Sequence, residues 1–181
     1  MNVTETKLNG CFILEPRVFK DERGYFFESF NKNNLEKTLG STIDFVQDNE
    51  SFSSRGVLRG LHYQLREYSQ AKLVRVILGK VLDVVVDLRK GSNTFGQHIT
   101  VELSSDNKKQ LFVPRGFAHG FAVLSDTVIF SYKCDNFYNK EAEAGIIYND
   151  SVLNIDWQLP KNEIIISEKD MYLPTFETAR I

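Results

Sequence analysis

Residues 71–88 read AKLVRVILGKVLDVVVDL, and this stretch decides the fold class. Ala71 to Leu78 is dense in β-branched and apolar residues, Gly79-Lys80 supplies a turn, and Val81 to Leu88 resumes the pattern. In the second run Leu82, Val84, Val86 and Leu88 share one parity, while Asp83 and Asp87, separated by Val85, take the other. An Asp-Val-Asp face is most simply a solvated one, so Asp83 and Asp87 are expected at the surface. The stretch is a β-hairpin.

The same grammar extends in both directions. Downstream, Ile99, Val101 and Leu103 alternate with His98, Thr100 and Glu102, and Ser105-Asp106-Asn107 turns the chain into Gln110 to Val113. Ala118 to Leu124 and Val128 to Lys133 follow as strands joined at Ser125-Asp126. Upstream, Asp21-Glu22-Arg23-Gly24 turns the chain before Tyr25 to Phe30. The one short helix spans Asn33 to Leu39, with Asn33 or Asn34 as its cap and Gly40 as its stop. Short strands at this spacing predict an all-β sandwich or barrel. No repeat, low-complexity segment or linker interrupts residues 1–181, which read as one domain.

Lys plus Arg is 22 against 24 for Asp plus Glu, a net charge of -2. A chain so balanced lacks the basic field that nucleic acid binding requires. Cys11 and Cys134 lie far apart and outside any metal-type spacing, so they read as reduced thiols of a cytoplasmic protein. The start MNVTETKLNG has no apolar core behind a basic end, and no apolar run approaches the roughly 20 residues of a membrane span. Neither a signal peptide nor a membrane partner is expected.

Three histidines carry the chemical question. His98 sits on the polar parity of its strand and is expected in solvent. His62 and His119 lie in glycine-bracketed segments, Arg59-Gly60-Leu61-His62 and Gly116-Phe117-Ala118-His119-Gly120, where backbone or ligand can approach closely. Lys72 shares parity with Val74 and Val76 and Arg75 with Leu73, so one of the two must share a face with apolar residues. Tyr132 shares parity with Val128 and Phe130, so its ring is expected inward with a hydroxyl that needs a partner. Pro114-x-Gly116-x-x-His119 matches half of a cupin metal motif, but the other half reads His62-Tyr63-Gln64 where a His-x-His pair is needed. No metal is therefore expected. Nor do GxSxG, GxGxxG or Walker spacings occur. Metal-free proton transfer between His, Lys and Tyr remains one reading, and a pair of satisfied core histidines the other.

In Asp21-Glu22-Arg23-Gly24, Gln47-Asp48-Asn49, Val57-Leu58-Arg59-Gly60-Leu61-His62-Tyr63-Gln64, Gln70-Ala71-Lys72-Leu73-Val74-Arg75, Pro114-x-Gly116-Phe117-Ala118-His119-Gly120-Phe121, Tyr132-Lys133 and Ser167-x-Lys169-Asp170, the chain closely resembles the dTDP-4-dehydrorhamnose 3,5-epimerase family of metal-free cupins. The likeness runs in order from about residue 5 to 176. It implies a cupin-type double-stranded β-helix (jelly roll) with short peripheral helices, a dTDP-linked 4-keto-6-deoxy sugar as substrate, no cofactor, and a homodimer with strand exchange.

It also implies roles. His62 would be the base, with Asp170 on its other ring nitrogen; Lys72 would face the enolate oxygen, and Tyr132 would return protons from the opposite side. Arg23 and Arg59 would meet the diphosphate. Glu28, Gln47, Asp48 and Asn49 would hold the nucleotide end, and Phe26 and Tyr138 would stack on thymine. His119 would touch the sugar, with Glu143 and Lys169 as further ligand contacts. Arg115 departs from the family pattern and reads as a phosphate contact or a solvated residue. Residues 177–181 carry no motif and read as a frayed end.

Overall fold

A computed structural model describes residues 1–181. In chain order the strands are β1 Asn2–Glu5, β2 Phe12–Glu15, β3 Phe19–Asp21, β4 Gly24–Phe26, β5 Gln47–Ser54, β6 Leu58–Gln64, β7 Lys72–Leu78, β8 Lys80–Asp87, β9 His98–Ser104, β10 Gln110–Val113, β11 Phe117–Val123, β12 Thr127–Cys134 and β13 Glu143–Gly145. Helix α1 is Lys32–Leu39, and α2 is the single turn Glu168–Met171. One sheet has the order β1-β2-β10-β7-β12-β5 and the second β13-β6-β11-β8-β9, with every pairing antiparallel. Face to face they make the expected cupin-type jelly roll. Hairpin β3-β4 stands apart, with every residue exposed. No helix is long and apolar enough to cross a membrane.

The interior holds Val74 and Val76 of β7, Val81 and Val85 of β8, Leu111 and Val113 of β10, Phe117 and Phe121 of β11, and Val128 and Phe130 of β12. Phe121 and Phe130 stack with centroids 4.2 Å apart. Outside the five-stranded sheet a second layer covers Leu82, Val84 and Val86 with Ile146, Leu153, Trp157 and the segment 164–181. Outside the other sheet, Leu35 of α1 packs on Leu14, Leu73 and Phe112.

That second layer corrects the expectation for Asp83 and Asp87. Both are fully buried, because the apolar parity of β8 lies under the C-terminal segment and the aspartates point into the barrel. Asp87 accepts hydrogen bonds from Arg89, Ser92 and Thr94, while Asp83 meets His119. His98 is half-buried rather than solvated. The helix begins one residue before the expected span: Asn31 is the cap, accepting from the Asn34 N–H, and Gly40 closes the helix in the left-handed conformation. The tail is not frayed. Ala179 and Ile181 pack on the outer layer, and the Tyr63 hydroxyl donates to the Arg180 carbonyl. Arg115 is tied to Asp135 at 2.8 Å.

Candidate active site

Strand β6 shows how the sequence builds the site. Arg59 and His62 are three residues apart, so plain alternation would send them to opposite faces. Against β11, however, Arg59 pairs with Phe121 and His62 with His119, so three steps on β6 match two on β11. The extra residue makes a bulge that turns both side chains into the barrel. Gly60 sits there with φ +128°, and a Cβ on it would lie 2.6 Å from the Cα of Gly120. Only glycine fits both demands.

The cleft beside this bulge has a volume of about 520 Å³ and is lined by Asn49, Arg59, His62, Lys72, His119, Tyr132, Lys169 and Asp170 among others. A side lobe of about 120 Å³ shares Asn49, His62, Lys72 and Tyr132 and adds Gln47, Tyr138 and Glu143. His62 Nε2 lies 2.7 Å from Asp170 Oδ1, across 108 residues of sequence. With Nε2–H donating to the carboxylate, Nδ1 keeps a free lone pair. Burial alone would raise the Asp170 carboxyl, but hydrogen bonds from His62, the Gly60 N–H and Ser167 outweigh it and hold it below the ordinary value. Asp170 reaches this place because Ser167 caps α2 and the tail anchors it: Ile147 N–H donates to the Pro174 carbonyl and Phe176 N–H to Asp150.

The Lys72 ammonium lies over the Tyr132 ring, 5.8 Å from its centroid. Burial pushes the lysine's pKa down and the Tyr132 hydroxyl's up. A lysine so desolvated is poised to gain from any anion formed beside it. At the rim, Glu143 accepts from the Tyr138 hydroxyl at 2.8 Å and from Lys169 at 2.5 Å. Arg59 Nε donates to Ser53 at 3.2 Å.

Four of the expected ligand residues are not brought to this cleft. Asp48 takes the outer parity of β5 and pairs with Lys133 at 2.9 Å. Arg23 and Phe26 are on the exposed hairpin, Arg23 bound to Asp21, and Glu28 accepts from Asn31 and Asn34 near the start of α1. Asp83 beneath His119 was missed, since its strand gave no sign of which face is inside. Ser53 was missed too, although its inward parity with Gln47 and Asn49 was available.

A family model described as dTDP-4-dehydrorhamnose 3,5-epimerase matches residues 5–178. The chain belongs to that family. A Shigella flexneri dTDP-4-dehydrorhamnose 3,5-epimerase is 53% identical over 171 residues, 94% of this chain and 93% of the relative. The crystal structure of the Elizabethkingia anophelis dTDP-4-dehydrorhamnose 3,5-epimerase superposes with a TM-score of 0.95 at 55% identity, covering 98% of this chain and 97% of that one. A Legionella pneumophila dTDP-6-deoxy-D-glucose-3,5-epimerase, solved in complex with dTDP-4-keto-L-rhamnose, gives 0.94 at 48% identity, covering 98% and 93%.

Proposed function

We propose that the chain is an isomerase that inverts C3 and C5 of dTDP-4-dehydro-6-deoxy-D-glucose, the dTDP-4-dehydrorhamnose 3,5-epimerase reaction on the way to dTDP-L-rhamnose. The observation that carries this reading is the meeting of the His62–Asp170 pair with Lys72 and Tyr132 in one cleft of a chain of this family. His62 Nδ1 takes the proton from a carbon beside the C4 ketone. A carbon acid is far weaker than an imidazolium, and each unit of that gap costs about 1.4 kcal/mol. Lys72 narrows the gap by stabilising the enolate oxygen. Tyr132 then returns a proton to the opposite face and inverts the centre. Because the ketone acidifies both neighbours, one set of groups serves C3 and C5. The reaction involves no net oxidation and calls for no redox cofactor.

Arg59 suits the diphosphate as a guanidinium fork; Gln47, Asn49 and Tyr138 in the side lobe suit the nucleotide, and His119, Glu143 and Lys169 the sugar. A homodimer fits the same reading: Arg23, Phe26 and Glu28 stand away from their own cleft and would serve a partner's. The cytoplasm fits two free, buried thiols. The test is turnover of the dTDP keto-sugar in deuterium oxide, followed by NMR. Deuterium at C3 and C5 of an inverted product is expected. Absence of exchange refutes the reading, and exchange at one centre alone replaces it with a single-centre epimerase.

A further inference from the structure

We propose that Asp83 is a positioning residue of this site: it fixes the His119 ring from beneath and supplies the negative charge that keeps Lys72 an ammonium ion. The proposal rests on the reading of Lys72 as the partner of the enolate. Two carboxylates on one face of β8 differ in their partners. Asp87 is saturated locally by Arg89, Ser92 and Thr94. Asp83, equally sealed from solvent, has one partner, His119 Nε2, at 3.0 and 2.9 Å from its two oxygens. A buried carboxylate held by a single ring N–H is under-compensated unless a cation shares its field.

Across the barrel on β7, Lys72 has the converse problem, with no carboxylate within ion-pair distance of its amine. The groups facing it can be taken element by element. On β12, Cys134 stays a thiol because burial raises it, and Tyr132 stays a phenol for the same reason. On β13, Glu143 is committed to Lys169. From α2, Asp170 is committed to His62 of β6. Arg59 of β6 is itself a cation, bound to Ser53. That leaves Asp83 of β8, whose charge acts on Lys72 and is acted on by it. Burial holds the Asp83 carboxyl above its ordinary value, and the charge and hydrogen bonds of His119, with the Lys72 charge, offset only part of that rise. One carboxylate set under the His119 ring and facing the unpaired Lys72 amine across the barrel is a counter-charge that both groups share. With His119 Nε2–H donating to Asp83, Nδ1 is left to meet a substrate hydroxyl.

The test is an NMR titration of Lys72 in protein carrying ¹³C,¹⁵N-lysine, its signal assigned by its loss in Lys72→Arg. In the native protein the amine should stay protonated through neutral pH; a neutral amine at pH 7 overturns the proposal without any variant. Asp83→Asn keeps the shape and removes the charge. It should lower the Lys72 midpoint by one pH unit or more, about a tenfold loss of proton affinity. The alkaline limb of kcat should move down with it. An unmoved midpoint, even with turnover lost, overturns the proposal and reduces Asp83 to a structural residue. Because the titration needs no substrate, it judges Asp83 even if the chain proves not to epimerise.

Discussion

Asp170→Asn is the most informative substitution, because it changes charge at one end of a short hydrogen bond and leaves volume alone. The Asp170 side chain is 5% exposed and its oxygen lies 2.7 Å from His62 Nε2, so solvent and salt screen the contact little. During catalysis the ring must carry a proton taken from carbon, and the carboxylate stabilises that cation. A hydrogen bond to a charged group in such a setting is worth about 1.5–3 kcal/mol. At about 1.36 kcal/mol per factor of ten, its loss slows turnover roughly 10- to 150-fold. The amide adds a second effect. If its NH₂ faces Nε2, the ring proton moves to Nδ1, the nitrogen that must act as base; the corresponding wrong tautomer in serine proteases costs about 10⁴. Asp170→Ala, which removes the carboxylate without offering a donor, should fall in the lower range, and Asp170→Asn should fall further. Steady-state rates with the dTDP keto-sugar and a coupled reductase measure both, and calorimetry with dTDP should show affinity unchanged. Native turnover in either variant would refute the assignment of Asp170.

Other outcomes follow from the same structure. Gly60→Ala forces a Cβ to within 2.6 Å of Gly120 at a φ of +128°; it should cost about 1–3 kcal/mol, lower Tm by roughly 3–10 °C and impair turnover, and a native melting curve would contradict the bulge. Burial alone would raise the Asp87 carboxyl, but bonds from Arg89, Ser92 and Thr94 outweigh it and hold it well below the usual carboxylate range. A depressed folded pKa gives stability that is fully present above the unfolded value near 3.9 and fades as pH falls through the folded one. Asp87→Asn should therefore be less stable than the native chain at pH 7, with urea midpoints that converge as pH drops below about 4; a gap independent of pH would count against it. Burial pushes the Cys11 thiol up to about 12 and raises Cys134 as well, so thiol reagents should label neither until the protein unfolds, and rapid native labelling would contradict their burial.

What the sequence disclosed divides by range. The hairpin at 71–88 was plain because strand alternation is local, and so was the inward Tyr132, whereas alternation alone left Lys72 and Arg75 as rivals for an apolar face. Asp83 and Asp87 were misread because local alternation shows that a strand has two faces without showing which is inside. The covering layer of Trp157, Leu153 and Ile146 comes from sixty or more residues away. Asp170 and His62 meet across 108 positions, a pairing that resemblance supplied and periodicity could not. The bulge at Gly60 was marked by its glycine, yet its effect, bringing Arg59 and His62 to one side, depends on the register with β11.

The contact between Gly60 and Gly120 also bears on how this cleft can be re-engineered. At that waist main chain meets main chain, so no side chain remains to be trimmed, and any enlargement there acts on the backbone that aims Arg59 and His62. Strand β5 is different: Gln47, Asn49 and Ser51 form an inward row of replaceable side chains on an edge of its sheet, while Ser53 beyond them holds Arg59. A library seeking to admit bulkier sugar nucleotides belongs on β5, with positions 60 and 120 held fixed. The polar wall is where substrate range can drift, and the glycine waist is where it is locked.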